Sequence, residues 1–239
     1  ADIGLRAPYP FVARVTANDS PLKYQRYEAK ADGTATVSGQ LQPFMAEELE
    51  FENFKLTGEG VRLSAAGNLT SGAQLNVTAE LSRLPVENIQ LGGTARVDAV
   101  VRGTLEEPRI EGQLETSDAT MKTAGMTEAA ALQASVGFTR DEFLIRQLQA
   151  TFAGATASIT GGGTVKGSGK FQFQVENIRP ENILKDRPIT GLVSLEGNLD
   201  VARPEINAIR GRVRVTEFEL KVQDVAVRQA RPIEIALEN

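Results

Sequence analysis

The strongest constraint on the fold is a strict alternation of apolar and polar residues. In the segment QLNVTAEL, residues 74–81, the apolar residues Leu75, Val77 and Ala79 alternate with polar ones. Successive side chains of a β-strand point to opposite faces, whereas an α-helix repeats about every 3.6 residues. The pattern therefore predicts a strand with one dry face and one wet face.

The same period of two recurs along the whole chain. It predicts further strands at residues 11–17, 35–37, 61–65, 95–99, 110–114, 132–138, 148–152, 155–159, 171–175, 193–195, 209–215, 218–222 and 233–237. Clusters such as NLTSGA, LEEPR, TSDAT and TGGGTVKGSG supply turn residues and predict the bends between strands. The sequence thus predicts an all-β fold with little helix.

Two segments carry helix signals. PVENIQL near residue 85 and RPENILKD near residue 179 place Pro just before an acidic residue, as in the first turn of a helix. TEAAALQA, which starts at Thr127, is a third possible helix, but the alternation continues through LQASVGF and favours a strand there.

The glycine-rich stretch GGGTVKGSGKFQFQVEN, residues 161–177, raises the question of a phosphate-binding loop. That motif requires G-x-x-x-x-G-K-[ST] followed by a helix. Here Lys170 is followed by Phe171, and Phe171, Phe173 and Val175 alternate with polar residues. The stretch is therefore interpreted as a bend that enters a half-buried strand.

The composition argues against most enzyme chemistry. The chain of 239 residues contains neither His nor Cys, which removes the usual nucleophile systems and most zinc, haem and iron–sulfur ligation. The acidic groups at residues 47–50 and 106–107 lack the spacing of a known metal site and are interpreted as solvated edges. We expect no enzyme activity, no cofactor and no metal. A glycosidase that uses two carboxylates remains the enzymatic alternative.

Charge and hydropathy limit the partners. The net charge is −5 and only 5% of the residues are aromatic, so a nucleic-acid partner is not expected. No run reaches the roughly 18 apolar residues of a membrane span, and the first ten residues lack the layout of a signal peptide. The chain is interpreted as soluble, or as a soluble piece of a longer protein.

Arg210, Arg212 and Arg214 share one face of a predicted strand. This pattern indicates a wet face or a charged sheet edge, with contact to phosphate headgroups as the alternative.

Matching segments indicate a repeat. LPVENI ends at Ile89 and RPENI ends at Ile183, and a similar pair of strands follows each. A weaker copy precedes both. Repeats of this kind stack on their neighbours because one unit cannot bury its apolar face alone. We predict one continuous, elongated domain with repeat units at residues 1–89, 90–183 and 184–239.

The segments GTATVSGQLQP, VDAVVRGTLEEPRIEGQLETSDATMK and VSLEGNLDVARPEINAIRGRVRVTEFELK resemble the TamB and AsmA-like family of bacterial envelope proteins. The resemblance implies a curved, taco-like sheet that encloses a hydrophobic groove. It also implies a periplasmic location, an inner-membrane anchor elsewhere in the full-length protein, and a role in phospholipid transport to the outer membrane that supports outer-membrane biogenesis. An outer-membrane barrel protein similar to TamA is an implied partner through parts of the protein not present here.

The apolar face must meet another sheet, curl onto itself, or contact a ligand. Small residues in AAALQASVGF and ATFAGATASI favour a groove left open for phospholipid acyl chains over a tight sandwich. The predicted groove lining is Leu75, Val77, Ala79, Val136, Phe138, Phe152, Ile159, Phe171, Phe173, Val175, Val213 and Val215. The alternatives are that these residues form ordinary core, and that the chain is a passive structural or adhesin-like β-solenoid with a closed core.

Overall fold

The fold is described from a computed structural model of the chain. The structure describes residues 10–24, 27–41, 44–83, 88–104, 106–123, 126, 128–183, 188–203, 205 and 208–237. Nearly all of these residues lie in β-strands, and the helical content is one 3₁₀ turn, Leu81–Arg83, and one short helix, α1, Pro180–Ile183.

The described residues form fifteen strands. In chain order they are β1 (Pro10–Tyr24), β2 (Tyr27–Leu41), β3 (Phe44–Gly58), β4 (Val61–Asn68), β5 (Ala73–Glu80), β6 (Ile89–Gly103), β7 (Pro108–Thr123), β8 (Ala130–Thr139), β9 (Glu142–Phe152), β10 (Ala155–Thr164), β11 (Gly169–Ile178), β12 (Ile189–Val201), β13 (Ile209–Val222), β14 (Val225–Arg228) and β15 (Ile233–Leu237).

The strands form one antiparallel sheet with the simplest order. Each strand pairs with the next one along the chain from β1 to β14, and β15 pairs with β13. β14 and β15 share that neighbour because β14 pairs with residues 219–222 of β13 and β15 with residues 211–215. Among the described residues, no pairing joins β1 to β14 or β15. The predicted all-β class, built as a repetitive sheet with little helix, is confirmed.

Bulges keep the long strands amphipathic. Asn53 in β3, Asp118 in β7 and Asn177 in β11 have φ values of 50°, 51° and 59°, in the left-handed region that Asn and Asp tolerate best among non-glycine residues. The register shifts at Asn53 and at Asn177. A bulge adds one residue to its strand. The apolar positions are shifted by one residue in the sequence after the bulge, and they therefore stay on the same face of the sheet.

Ser194 connects three strands at such a bulge. It is 8% exposed, and its hydroxyl oxygen accepts a hydrogen bond from the Asn177 backbone N–H at 3.3 Å and donates one to Glu217 Oε2 at 3.5 Å. The side chain therefore satisfies a backbone donor that the bulge in β11 takes out of the ladder.

The chain divides into two compact units. Unit 1 comprises Ala1–Arg83 and Arg96–Gln113, and unit 2 comprises Leu84–Ala95 and Leu114–Asn239. Unit 1 contains β1 to β5, and unit 2 contains β8 to β15 and α1. The predicted three-part division at residues 89 and 183 stays a prediction.

Small residues dominate the buried positions. The buried apolar residues that the structure describes are Ala31, Ala65, Leu69, Ala73, Ala99, Ala119 and Ala130, and no large side chain among the described residues is fully buried. Most apolar side chains of the strands are half-buried instead. The sheet is therefore stabilised by its ladder and by contacts along one face, without a closed core in the described part of the chain.

The predicted elements are largely confirmed, with three corrections. The helix at RPENI is confirmed as α1, and the strand favoured after Thr127 is confirmed as β8, while Thr127 itself lies outside the described residues. Of the helix predicted at PVENIQL, residues 85–87 lie outside the described residues, and residues 89–91 begin β6 instead.

One predicted bend and one predicted strand break are wrong for the same reason. TSDAT lies inside β7, and the strands predicted at residues 209–215 and 218–222 are one strand, β13. The bend predicted in the glycine-rich stretch is confirmed at residues 165–168, but it is shorter than predicted, because residues 161–164 and 169–170 lie in β10 and β11. A bulge or a glycine can absorb turn-forming residues without ending the ladder. Composition alone therefore overestimates the number of turns.

Candidate functional site

Unit 2 carries a continuous apolar face. Antiparallel register places residues that lie directly opposite one another on the same side of the sheet. One cross-strand row runs through Ala134, Leu148, Ile159, Phe173, Gly197, Val213 and Ile235. A second row runs through Leu132, Ala150, Ala157, Val175, Leu195, Val215 and Ile233. Each row crosses seven strands without a polar residue.

A third row lies beside the first row, on the side away from the second row. It contains Val136, Ile145, Gly161, Phe171, Leu199, Gly211 and Leu237. We call the surface formed by these three rows the apolar face of unit 2. Phe138 and Phe152 lie on the same side of the sheet. Phe138 follows Val136 of the third row along β8, and Phe152 follows Ala150 of the second row along β9.

The structure therefore brings nine of the predicted lining residues together on one surface. They are Val136, Phe138, Phe152, Ile159, Phe171, Phe173, Val175, Val213 and Val215. All nine are half-buried, and the residues that alternate with them along β11, Gln172, Gln174 and Glu176, are exposed. Whether these residues contact lipid stays a prediction.

The other three predicted residues, on β5, belong to unit 1. Leu75, Val77 and Ala79 lie opposite Ala65, Leu63 and Val61 of β4, respectively. β4 in turn places Leu63 opposite Leu56 of β3. All three residues of β5 are half-buried. Unit 1 thus has an apolar face of its own, built by the same alternation.

Phenyl rings occupy space above glycines on the apolar face of unit 2. Phe143 of β9 and Phe171 of β11 lie on either side of β10, opposite Gly163 and Gly161, and their rings stack with centroids 6.2 Å apart and an interplanar angle of 22°. Phe173 lies over Gly197, because a Cβ on that glycine would be 2.6 Å from the ring. An aromatic ring over a strand glycine compensates for the missing side chain.

Phe143 is a residue of this face that sequence reasoning missed. The alternation in EFLIRQL places Phe143 and Ile145 on one side, but Leu148 follows at an odd spacing. The register shift between Ile159 and Gly161 of β10, opposite β9, restores Phe143 to the apolar side. The strand signal was therefore present, and the bulge concealed which side Phe143 faces.

The close backbone contacts that the structure describes follow the order of the sheet. They join hydrogen-bonded neighbouring strands, and α1 contacts β12. α1 is held by hydrogen bonds from the Gly191 backbone N–H to Glu181 Oε2 at 3.0 Å and from Asn182 Nδ2 to the Ala153 carbonyl at 2.8 Å. In the described part of the chain, the apolar face belongs to one antiparallel sheet, and none of its large side chains is fully buried.

The opposite side of unit 2 is polar and contains a depression of about 510 Å³. Its rim is formed by side chains of β10 to β13 and β15, namely Ser158, Thr160, Gln172, Gln174, Glu196, Asn198, Arg212, Arg214 and Glu234. Sequence reasoning placed Arg212 and Arg214 on a wet face, and the register agrees with that side. It could not find the depression, because the depression depends on five strands that are distant in sequence.

The glycine-rich stretch forms an ordinary hairpin. The Thr164 backbone N–H donates to the Ser168 carbonyl at 2.8 Å, and the two hydroxyl groups lie 2.9 Å apart. The strand after the turn confirms the interpretation of this stretch as a bend between strands.

The described residues lack two kinds of feature. They contain no cluster of three or more acidic residues placed to hold a metal ion. None of their helices has the length and apolar character needed to cross a membrane.

Comparison with known proteins identifies the family. A family model described as the TamB C-terminal domain matches residues 25–223. No curated protein and no solved structure matches the chain. The matched region covers well over half of the 239 residues, and the single antiparallel sheet agrees with the resemblance seen in the sequence. The chain belongs to the TamB family.

Proposed function

We propose that this chain is a periplasmic segment of a lipid conduit, whose apolar faces shield acyl chains while phospholipid moves between the inner and outer membranes. In this role it supports outer-membrane biogenesis. Membership of the TamB family, an envelope family, supports the general setting. The phospholipid substrate, the periplasmic location and the conduit mechanism are our inferences.

One observation carries the proposal. Three apolar rows cross seven strands of unit 2, yet no large side chain that the structure describes is fully buried. Extended apolar surface on a soluble protein usually marks a binding site for another apolar body. A phospholipid acyl chain has the chemistry to cover such a surface, because it is apolar along its whole length.

The energetics favour such a ligand. Half-buried side chains have lost only part of their contact with water, so further burial remains favourable. Each methylene group moved out of water contributes about 0.8 kcal/mol. An acyl chain that lies along a row can therefore gain several kcal/mol without any specific polar contact. Weak contacts of this kind, repeated across strands, suit movement better than one tight pocket does.

The alternative of a passive β-solenoid with a closed core fits less well. Closed cores pack large side chains at high density. The buried apolar residues that the structure describes are six alanines and one leucine, which is too little volume for a closed core in that part of the chain.

The remaining parts of the proposal concern the longer protein. We place an inner-membrane anchor outside this segment, and we place contact with an outer-membrane barrel protein similar to TamA in other parts of the chain. We also propose that the segment is not an enzyme, in line with the transport or structural character of its family.

Native mass spectrometry of the purified protein tests the lipid part. We expect phospholipid adducts on the protein recovered from bacterial cells, and phospholipid in an organic extract of the same sample. Val175→Arg should remove most of the bound lipid, because a charge on the apolar face loses hydration when an acyl chain covers it.

The matched control is Gln174→Arg, one residue away on the exposed face of the same strand. It should retain the lipid bound by the unchanged protein. Circular dichroism and thermal unfolding verify that both variants fold. A folded wild-type protein without lipid, or equal loss of lipid in both variants, would contradict the conduit.

A further inference from the structure

We propose that the polar side of unit 2 carries a binding site for a phosphate group, centred on Arg212. The site lies in the depression of about 510 Å³ on the side of the sheet opposite the apolar face. It is independent of the lipid conduit, because it uses the side chains that alternate with the apolar rows.

The three arginines of β13 have different neighbours. Arg214 lies opposite Glu196 on one side and Glu234 on the other, and its Nη1 is 3.6 Å from Glu196 Oε1. Arg210 lies opposite Asp200. Each of these two guanidinium groups therefore has a carboxylate directly across the ladder.

Arg212 faces neutral residues directly across the ladder on both sides. It lies opposite Asn198 of β12 and Ala236 of β15. Further along the same row, Asn198 lies opposite Gln172, and Gln172 lies opposite Thr160. Among the described residues, no ion pair or hydrogen bond includes the Arg212 side chain, in contrast to that of Arg214. Its charge is therefore available to a ligand.

The charges that line the depression support the same conclusion. Two arginines and two glutamates line it. The formal charges that line the depression therefore sum to zero, but both glutamates lie opposite Arg214, and Arg212 has no carboxylate directly across the ladder.

The surrounding groups suit an oxyanion. A guanidinium group presents a planar fork of N–H donors that matches two oxygens of a phosphate. The amide NH₂ groups of Asn198 and Gln172 and the hydroxyl of Thr160 supply further donors in the same row. The volume of the depression accommodates a phosphate together with a small polar substituent such as glycerol.

The phosphate group that binds at Arg212 can come from two sources. One is a phospholipid headgroup at a membrane surface, and the other is a free phosphate or phosphate monoester in solution. The first is a phosphodiester that carries acyl chains, and the second is a small soluble anion. A titration with both kinds of compound separates them.

The test follows the arginine side-chain Nε–Hε signals of the full chain by NMR at low ionic strength, where screening is weak. The probes are inorganic phosphate, glycerol 3-phosphate and dihexanoyl phosphatidylglycerol below its micelle concentration, with sodium chloride as the reference salt. We expect saturable shifts centred on Arg212 with the phosphate compounds and not with chloride. Tighter binding of the phosphatidylglycerol identifies a headgroup, and tighter binding of the soluble phosphates identifies a free anion.

Matched variants separate a site from general attraction. Arg212→Gln should weaken phosphate binding about tenfold, as expected for loss of a charge-assisted pair. Arg214→Gln removes the same formal charge and should weaken binding by less than about threefold, because its carboxylate neighbours already offset it. Arg212→Lys should be intermediate, because it retains the charge and loses the fork.

Both arginine side chains are exposed, and circular dichroism verifies folding of each of the three variants. Equal losses for Arg212→Gln and Arg214→Gln, or shifts that chloride reproduces, would overturn the site.

Discussion

β11 and β15 carry the same pattern and differ in what covers them. β11 alternates Phe171, Phe173 and Val175 with polar residues, and these three apolar side chains are half-buried. β15 alternates Ile233 and Ile235 with polar or small residues, yet these two are 46% and 48% exposed. The alternation is equally regular in both strands.

The difference comes from the neighbours. β11 pairs with β10 and β12, so its side chains have apolar neighbours on both sides. β15 pairs only with β13 among the described strands. The burial of these side chains therefore follows the number of strands that pair beside them. The sequence pattern therefore predicts the face of a residue and not its depth.

The largest expected effect concerns the close packing between β10 and β11. Gly161→Val should lower the free energy of unfolding by about 3 kcal/mol, because left-handed backbone strain and steric overlap add together. Gly161 has a φ of 141°, and a Cβ there would overlap the Lys170 carbonyl oxygen. Urea denaturation measures the change.

The control for that variant is Gly137→Ala in β8. A Cβ at Gly137 would lie 3.2 Å from Arg146 Nη2, the end of a flexible side chain, so the stability should change by less than about 1 kcal/mol. If the two variants were equally stable, β10 would not need glycine for its approach to β11.

A smaller effect should separate the two compared strands directly. Phe173→Ala should cost about 2 kcal/mol, below the 3–5 kcal/mol that is typical of a phenylalanine in a closed core. Ile235→Ala should cost less than about 1 kcal/mol, because its side chain is half exposed in the folded state. Chemical denaturation under identical conditions measures both. A cost for Phe173→Ala in the closed-core range would contradict the half-buried environment of Phe173.

The sequence predicts the faces of the strands well for a physical reason. Side chains alternate strictly along a strand, so a run such as FQFQV assigns each residue to a side without knowledge of its partners. All nine lining residues predicted in unit 2 accordingly lie on one face. Turn chemistry at residues 165–168 was equally local and was predicted correctly.

What could not be predicted depends on register between strands. Asp118 lies inside β7 with a φ of 51°, although TSDAT has the composition of a turn. The stacking of Phe143 on Phe171 requires β9, β10 and β11 to be aligned to the residue. The neutral neighbours of Arg212 likewise become visible only when β12 and β15 are placed beside β13.

Photo-crosslinking tests the central claim most directly, because Val175 and Glu176 are adjacent in sequence and lie on opposite faces of β11. Glu176 does not line the depression around Arg212. A photo-reactive amino acid at Val175 should capture phospholipid in living cells, and the same probe at Glu176 should capture little, since one residue step reverses the side of the sheet. Mass spectrometry of the crosslinked protein identifies the captured molecule. Strong lipid capture at position 175 with little at position 176 is the result that we predict. Equal capture at the two positions, or no lipid at position 175 in a folded protein, would contradict the conclusion that acyl chains occupy the apolar face.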